Sequence, residues 1–102
     1  MTSKNRRRGK DMERFLARYL KGERVGILGN EDVRFNYFSA ETKERKSLPK
    51  FLKDCMAQAE ANCPDRKIPF VVLHELNKSH KEDLVILRLP HWRKFVLWKE
   101  KK

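Results

Sequence analysis

A chain of 102 residues has room for one small domain, so a catalytic site must be built within that domain or shared between subunits. Its 25 Lys and Arg against 14 Asp and Glu give a formal net charge of +11, which attracts polyanions and above all nucleic acid. No segment approaches the roughly 20 apolar residues of a membrane-spanning helix, and the basic residues follow no single amphipathic stripe, so we expect no membrane partner.

The first ten residues hold five cations and no acid, and without an apolar stretch after Met1 they do not form a secretory signal. We expect residues 1–10 to be a basic N-terminal arm suited to phosphate contacts, ahead of a single domain at 11–102. The alternative is a solubilising, disordered tail. Cys55 and Cys63 fit neither a disulfide scaffold nor paired zinc ligands, which favours reduced thiols in a cytoplasm.

The segment up to residue 43 has the pattern of a helix followed by strands. Apolar residues at helical spacing, from Met12 to Leu20, precede Gly22 and predict a helix over about residues 9–21. Strand-forming residues then predict a three-strand meander. They comprise Val25 and Ile27, closed by Gly29-Asn30, and residues 32–43 with Asn36 as a turn.

The second half predicts one more helix and two strands. A Ser-Leu-Pro sequence at 47–49 is typical of a helix start, and the apolar face that follows continues to Asn62. The apolar runs 68–73 and 84–89 predict strands, the first buried at a sheet centre. The tail 91–102 mixes aromatic and basic residues, which suits a last strand or a partner-binding surface and suggests dimerisation. The order αβββαββ predicts an α/β fold with one mixed central sheet flanked by helices.

Two carboxylates and a lysine form the candidate catalytic group. Asp32 begins one predicted strand, and Glu41 and Lys43 lie two apart on the next, where strand alternation sends both side chains to one face. Carboxylates that hold Mg²⁺ can activate water for phosphodiester hydrolysis. Lys43 would orient that water, lower its pKa or stabilise the transition state. The alternative is a solvated strand face, since an E-x-K triplet arises by chance in a chain this rich in Glu and Lys.

Other residues compete for these roles. Glu44 and Lys46 form a second E-x-K, but that triplet adjoins the helix start, whereas the first lies within the strand signal. Glu31 is an alternative to Asp32, and only one of two neighbouring strand residues can face Glu41. We expect structural or surface roles for the three histidines, which share no visible face: His74, His80 and His91.

The order of these residues resembles that of a known nuclease family. Arg8-Gly9-Lys10 precedes Glu13-Arg14 on an amphipathic helix, and Asp32 and then Glu41-Thr42-Lys43 follow. Over residues 8–43 this order is similar to the opening of the archaeal-type Holliday junction resolvases, members of the PD-(D/E)XK nuclease superfamily. The resemblance implies a restriction-endonuclease-like core and a Mg²⁺-dependent endodeoxyribonuclease, with Mn²⁺ able to substitute and no nucleotide cofactor.

The resemblance also implies roles for individual residues. Asp32 and Glu41 would be metal ligands, Lys43 the catalytic lysine, and Glu13 a helical acid that completes or backs the metal site. Arg14 and Arg24 would contact DNA near the scissile phosphate. Four residues of the arm would also bind DNA: Arg6, Arg7, Arg8 and Lys10. Gln58 occupies the helix where many superfamily members place a polar residue aimed at the site; a solvent-facing glutamine is the alternative. The family's serine-bearing loop is replaced here by Gly26, Gly29 and Asn30.

The expected function is therefore the resolution of four-way DNA junctions in recombination. A homodimer would present two active sites to the two symmetry-related scissile phosphates, so that each subunit cuts one strand. The setting would be the cytoplasm of a prokaryotic cell or a phage-infected host. Two alternatives stay open: another PD-(D/E)XK nuclease that acts on flaps or duplex, and a non-catalytic basic DNA-binding module.

Overall fold

The computed structural model describes the backbone of residues 3–26 and 29–101, and the side chains of residues 9–26 and 29–101. The elements in chain order are α1 (Ser3–Leu20), β1 (Glu23–Arg24), β2 (Val33–Arg34), β3 (Ser39–Ala40), α2 (Lys50–Asn62), β4 (Val71–Leu73), β5 (Leu84–Ile86) and α3 (Leu89–Glu100), with a 3₁₀ helix at His80–Glu82. They form two compact units, one of Met1–Lys46 with Arg93–Lys102 and the other of Ser47–Trp92. None of the helices in the described part of the chain is long and apolar enough to cross a bilayer.

The first unit packs α1 against a three-stranded antiparallel meander of order β1-β2-β3. Leu16 and Leu20 lie four residues apart on α1, so both face the sheet, and both are buried. Val33 of β2 is fully buried and Val96 of α3 is 1% exposed. Burying each such side chain contributes about 1.5 to 3 kcal/mol, which makes this small cluster the core that holds the meander in place.

The end of α1 is shaped by Lys21 and Gly22. Lys21 takes the left-handed conformation with φ of 58°, and the amide of Gly22 donates to the Ala17 carbonyl at 2.8 Å, a pattern typical of helix C-termini. A Cβ on Gly22 would lie 2.5 Å from the Phe35 ring and 2.8 Å from Val33. Glycine is therefore needed here for close packing on β2.

The last eight residues of α3 belong to the first unit and hold the β2–β3 turn. The Glu100 carboxylate accepts hydrogen bonds from the backbone amides of Asn36, at 3.0 Å, and Tyr37, at 2.9 Å. Arg93 donates to the Tyr19 carbonyl at 2.8 Å and lies over the Tyr19 ring. The Glu100 bonds stabilise the turn between β2 and β3, and the Arg93 contacts hold α3 against α1.

The second unit consists of α2, the β4–β5 hairpin and the start of α3. Among the described residues of this unit, Met56 is the buried apolar one. Helix α2 packs on β4. The hairpin is antiparallel, with Leu73 paired to Leu84 at its loop end. Arg88 donates two hydrogen bonds of 3.0 Å to Glu60, one to each carboxylate oxygen, which ties the end of the hairpin to α2.

The mixed α/β class, a three-strand meander and the helix ending at Asn62 are confirmed. The first strand of the meander is Glu23–Arg24, however, and does not include Val25 as expected. The single mixed sheet is wrong, because the described strands form two separate antiparallel sheets. The expected burial of the 68–73 run is wrong as well, since β4 has one neighbouring strand and Val72 is half exposed. The restriction-endonuclease-like core stays a prediction.

Three local expectations also differ from the structure. Residues 89–100 form a helix and not a strand, because Pro90 lies in its first turn, where a missing amide costs nothing. α1 begins at Ser3, since the Lys and Arg of the expected arm are good helix formers. Ser47 does not cap α2, which has Pro49 at its N-cap; the Ser47 hydroxyl donates to the Leu48 carbonyl. Ile27 lies outside the described residues.

Candidate active site

The β2–β3 pairing brings Asp32 and Glu41 together at one end of the meander. Asp32 directly precedes β2, and Glu41 directly follows β3. Because Val33 is paired with Ala40, the next positions along the ladder are Asp32 and Glu41. The Asp32 amide donates to the Ala40 carbonyl at 3.1 Å, which extends the pairing to this end.

Thr42 fixes the Asp32 carboxylate. Its backbone amide and its hydroxyl donate to the same oxygen, Asp32 Oδ2, at 2.7 and 3.1 Å. These bonds, the backbone one first, hold the pKa of Asp32 below its ordinary value, with further contributions from a hydrogen bond to Glu41 and the charge of Lys43. Asp32 is therefore a preoriented, ionised carboxylate at neutral pH.

Glu41 and Lys43 both reach Asp32, but not as two residues of one strand. The sequence predicts them within a strand, whereas β3 ends at Ala40, so the expected alternation along a continuous strand is wrong. Glu41 lies in hydrogen-bonding reach of Asp32, and Lys43 acts on it through its charge. The hydrogen bonds from Thr42, which lies between them, hold this segment beside Asp32.

This donor set fits a small divalent cation. Two adjacent carboxylates, one oriented by hydrogen bonds, are the hard oxygen ligands that Mg²⁺ and Mn²⁺ prefer. The Thr42 bonds are the kind of outer support that keeps a ligating carboxylate in place. Asp32 and Glu41 would hold the ion, and Lys43 would stay beside it as a fixed positive charge.

An open groove of about 590 Å³ adjoins Glu41. Its lining residues come from the β1–β2 loop, from β2, and from β3 with the residue after it: Gly29, Asn30, Glu31, Arg34, Ser39, Ala40 and Glu41. Arg34 binds Glu31 at 2.9 Å, and the hydrogen bonds from Ser39 and Arg34 hold the pKa of Glu31 below its ordinary value. Glu31, the alternative ligand in the sequence, is thus engaged by Arg34. The groove therefore provides solvent-filled space next to Glu41.

Glu13 and Arg24 form an ion pair of their own. Arg24 Nε donates to Glu13 Oε2 at 2.8 Å, and the side chains are 30% exposed for Arg24 and 21% exposed for Glu13. Within the described residues, Glu13, Asp32 and Glu41 do not gather their carboxylates within 4.8 Å of one another. The structure therefore groups Asp32, Glu41 and Lys43 and pairs Glu13 with Arg24 beside α1.

The remaining predicted residues lie on α1 or α2, or outside the described part of the chain. Arg14 is exposed and lies 3.5 Å from Asp11, and Lys10 is exposed on α1. Gln58 is exposed on α2, in the second unit. The side chains of three arm residues lie outside the described residues: Arg6, Arg7 and Arg8.

Sequence reasoning missed two features. Thr42 stands in the sequence only as the middle of the E-x-K triplet, although a hydroxyl next to a candidate ligand is a signal for carboxylate support. The sequence predicts His74 in a strand and His80 in a loop, yet both contact Asp83, at 2.6 and 2.9 Å. The signal for this second group is that His74 directly follows the apolar run 68–73 and Asp83 directly precedes the run 84–89, so pairing of the two runs brings both residues together.

Comparisons with known proteins identify no relative of the chain: no family model, no curated protein and no solved structure matches it. A function must therefore be inferred from the chain's own residues, their geometry and their charge. The grouping of Asp32, Glu41 and Lys43 is the arrangement with the clearest chemical use.

Proposed function

We propose that the chain is a Mg²⁺-dependent endodeoxyribonuclease that resolves four-way DNA junctions. The observation that supports this proposal is the convergence of Asp32, Glu41 and Lys43 at one end of the meander, with Asp32 ionised and oriented by Thr42. Two acids and a lysine arranged in this way meet the needs of phosphodiester hydrolysis, which are a metal ligand set and a fixed cation beside it.

The residues have separate tasks in this proposal. Asp32 and Glu41 hold the metal, which when bound lowers the pKa of its water and neutralises charge on the phosphate. Lys43 is exposed and can approach a phosphate oxygen, where its ammonium group stabilises the charge that develops during the reaction. Thr42 keeps the Asp32 carboxylate from rotating away from the ion.

The charge distribution supports a nucleic-acid substrate. The net charge of +11 favours DNA through the release of counterions from its phosphates. Exposed cations lie on α1, at Lys10 and Arg14, and in the segment after β3, at Lys43 and Arg45. Contacts of this kind read the backbone and its branch geometry and carry no base sequence information, so cleavage should show little sequence preference.

Specificity for junctions and action as a homodimer are the finer parts of the proposal. They rest on the resemblance of residues 8–43 to the archaeal-type Holliday junction resolvases and on the symmetry of the substrate, which offers two equivalent scissile phosphates to a two-fold dimer. The product would be a pair of symmetric nicks. The setting would be the cytoplasm of a prokaryotic cell or of a phage-infected host.

The test compares cleavage of a synthetic four-way junction with cleavage of duplex, flap and single-stranded DNA, in Mg²⁺ or EDTA. Glu41→Gln and Lys43→Ala should each reduce the rate about 100-fold or more, which corresponds to about 3 kcal/mol, while junction affinity stays nearly unchanged. The chain offers matched controls in its second E-x-K triplet. Glu44→Gln and Lys46→Ala make the same chemical changes at positions three residues further along the chain, and they should leave cleavage largely intact.

Each outcome separates the candidate functions. Metal-dependent paired nicks confined to the junction and lost in Glu41→Gln support the resolvase. Equal cutting of plain duplex keeps the nuclease but removes the junction assignment in favour of another PD-(D/E)XK activity. Tight binding without cleavage in either metal contradicts the enzyme and leaves a basic DNA-binding module.

A further inference from the structure

The loop that joins β4 and β5 gathers two imidazoles and a carboxylate. His74 Nδ1 lies 2.6 Å from Asp83 Oδ1, and His80 Nδ1 lies 2.9 Å from Asp83 Oδ2. The two imidazole rings stack with centroids 4.1 Å apart. One donor atom from each of the three residues lies within 4.8 Å of the other two, so all three can reach a common point.

The hairpin explains why these residues meet. Leu73 is paired with Leu84 in the last rung of the β4–β5 ladder, so His74 and Asp83 follow directly from that rung on opposite strands. The one-turn 3₁₀ helix His80–Glu82, capped by the Ser79 hydroxyl at 3.2 Å, then turns His80 back toward Asp83. The backbone of the hairpin thus brings three potential ligands together.

The chemistry of this group differs from that of Asp32 and Glu41. Imidazole nitrogen is the preferred ligand of Zn²⁺, Cu²⁺ and Ni²⁺, whereas Mg²⁺ prefers oxygen. Zinc ligands lie about 2.0 to 2.2 Å from the ion, so tetrahedral donors stand roughly 3.4 Å apart. The present contacts of 2.6 and 2.9 Å would need to open by less than about 1 Å, a shift within reach of exposed side chains.

The local charge also favours a cation. Residues 74–83 contain three acids and two lysines, so with neutral histidines their formal charge is −1 in a chain of +11. The Asp83 side chain is 15% exposed and contacts both imidazoles, and an aspartate carboxylate is ordinarily ionised at neutral pH. Asp83 therefore offers a negative ligand between two imidazoles.

We propose that His74, His80 and Asp83 form a binding site for a zinc-class transition-metal ion at the end of the β4–β5 hairpin. Three protein ligands leave one tetrahedral position for water or for a donor from a partner. The ion would cross-link both ends of the ten-residue loop and so hold the hairpin closed. The site does not depend on the proposed nuclease function, and the two proposals are tested separately.

The experiment measures Zn²⁺ binding to the full chain by competition with a chromophoric chelator, in excess Mg²⁺ so that the oxygen site of Asp32 and Glu41 is occupied. The parent should bind one ion per chain. His74→Gln, His80→Gln and Asp83→Asn should each weaken binding by at least the 10- to 100-fold that loss of an outer-shell partner typically costs. A Glu41→Gln chain should bind zinc like the parent.

His91→Gln is the matched control because it removes the remaining histidine of the chain and should leave zinc affinity unchanged. A second readout needs no ligand variant: in ¹H–¹⁵N spectra of the parent, zinc should shift the ring signals of His74 and His80 and leave those of His91 in place. Failure of the parent to bind, equal affinity in the three ligand variants, or equal loss in His91→Gln would each overturn the site and leave a cluster of hydrogen bonds only.

Discussion

Thr42 donates two hydrogen bonds to one oxygen of Asp32, from its backbone amide at 2.7 Å and from its hydroxyl at 3.1 Å. A residue in the middle of an E-x-K triplet thereby orients a carboxylate ten positions earlier in the chain. The hydroxyl bond depends on the side chain, whereas the amide bond depends on the backbone. The two contributions can therefore be separated by substitution.

Thr42→Val removes the hydroxyl bond and keeps the shape of the side chain. We expect it to weaken Mn²⁺ binding by about 10-fold or more, as loss of an outer-shell partner does, and to lower the free energy of unfolding by about 1 kcal/mol. Thr42→Ser retains the hydroxyl and should stay close to the parent. Calorimetric titration with Mn²⁺ and urea denaturation measure the two effects; equal affinities for Val and Ser at position 42 contradict the orienting role.

Val33→Ala should destabilise the first unit. Val33 is fully buried against α1, so removal of two methyl groups costs their transfer free energy and leaves a cavity, about 2 kcal/mol together. Val85→Ala is the matched control, because Val85 is 60% exposed and the same truncation should cost well under about 1 kcal/mol. Urea denaturation compares them, and similar losses at both positions would contradict the assigned core.

Glu100→Ala should loosen the β2–β3 turn. The carboxylate accepts from the amides of Asn36 and Tyr37, and loss of these partners should cost about 1 to 2 kcal/mol. Hydrogen exchange of those two amides should accelerate in Glu100→Ala and by less in Glu100→Gln, whose side-chain oxygen still accepts. Unchanged exchange at both amides would show that α3 does not hold the turn.

The ion pair of Glu60 and Arg88 predicts a pH dependence of stability. Hydrogen bonds from Arg88 hold the pKa of Glu60 below its ordinary value, so the folded state binds this proton more weakly than the unfolded state does. The stabilisation is fully present above the ordinary pKa of about 4.3 and is lost as the pH falls through the lowered value. The urea midpoint of the parent should exceed that of Glu60→Gln at pH 7, and the gap should close toward pH 3. Because the pair is solvated, the difference between the two urea midpoints should be small. A difference that does not change with pH would exclude this linkage.

The basic arm predicts a salt dependence of DNA affinity. Replacing Arg6, Arg7 and Arg8 by Ala should weaken junction binding. The plot of log affinity against log salt should also become less steep, by about 0.9 for each phosphate that the variant no longer neutralises. Fluorescence anisotropy at several salt concentrations gives this slope for the parent and the variant. An unchanged slope would assign the arm to a solvated segment that does not touch DNA.

The aromatic and basic residues after His91 suit a strand as well as a helix, and periodicity over so short an apolar run does not separate the two. The distinguishing signal is Pro90, placed near the start of α3 as Pro49 is at the start of α2. Residues 91–100 are helical, and Val96 joins the core of the first unit.

The local features of this chain follow from its sequence: the helical spacing that ends near Leu20, the helix that ends at Asn62, the strand order of the meander, the positive charge, and the choice of Asp32, Glu41 and Lys43 as candidates. Propensity, capping and charge act over a few residues, so they can be read in order along the chain. Three-dimensional packing was needed to show that the strands form two sheets, that Thr42 holds Asp32, that Glu100 binds an amide 64 positions away, and that His74, His80 and Asp83 meet. Each of these features depends on strand pairing or packing between segments that are distant in the sequence. Such contacts leave no periodic pattern within a short segment, so the sequence does not reveal them.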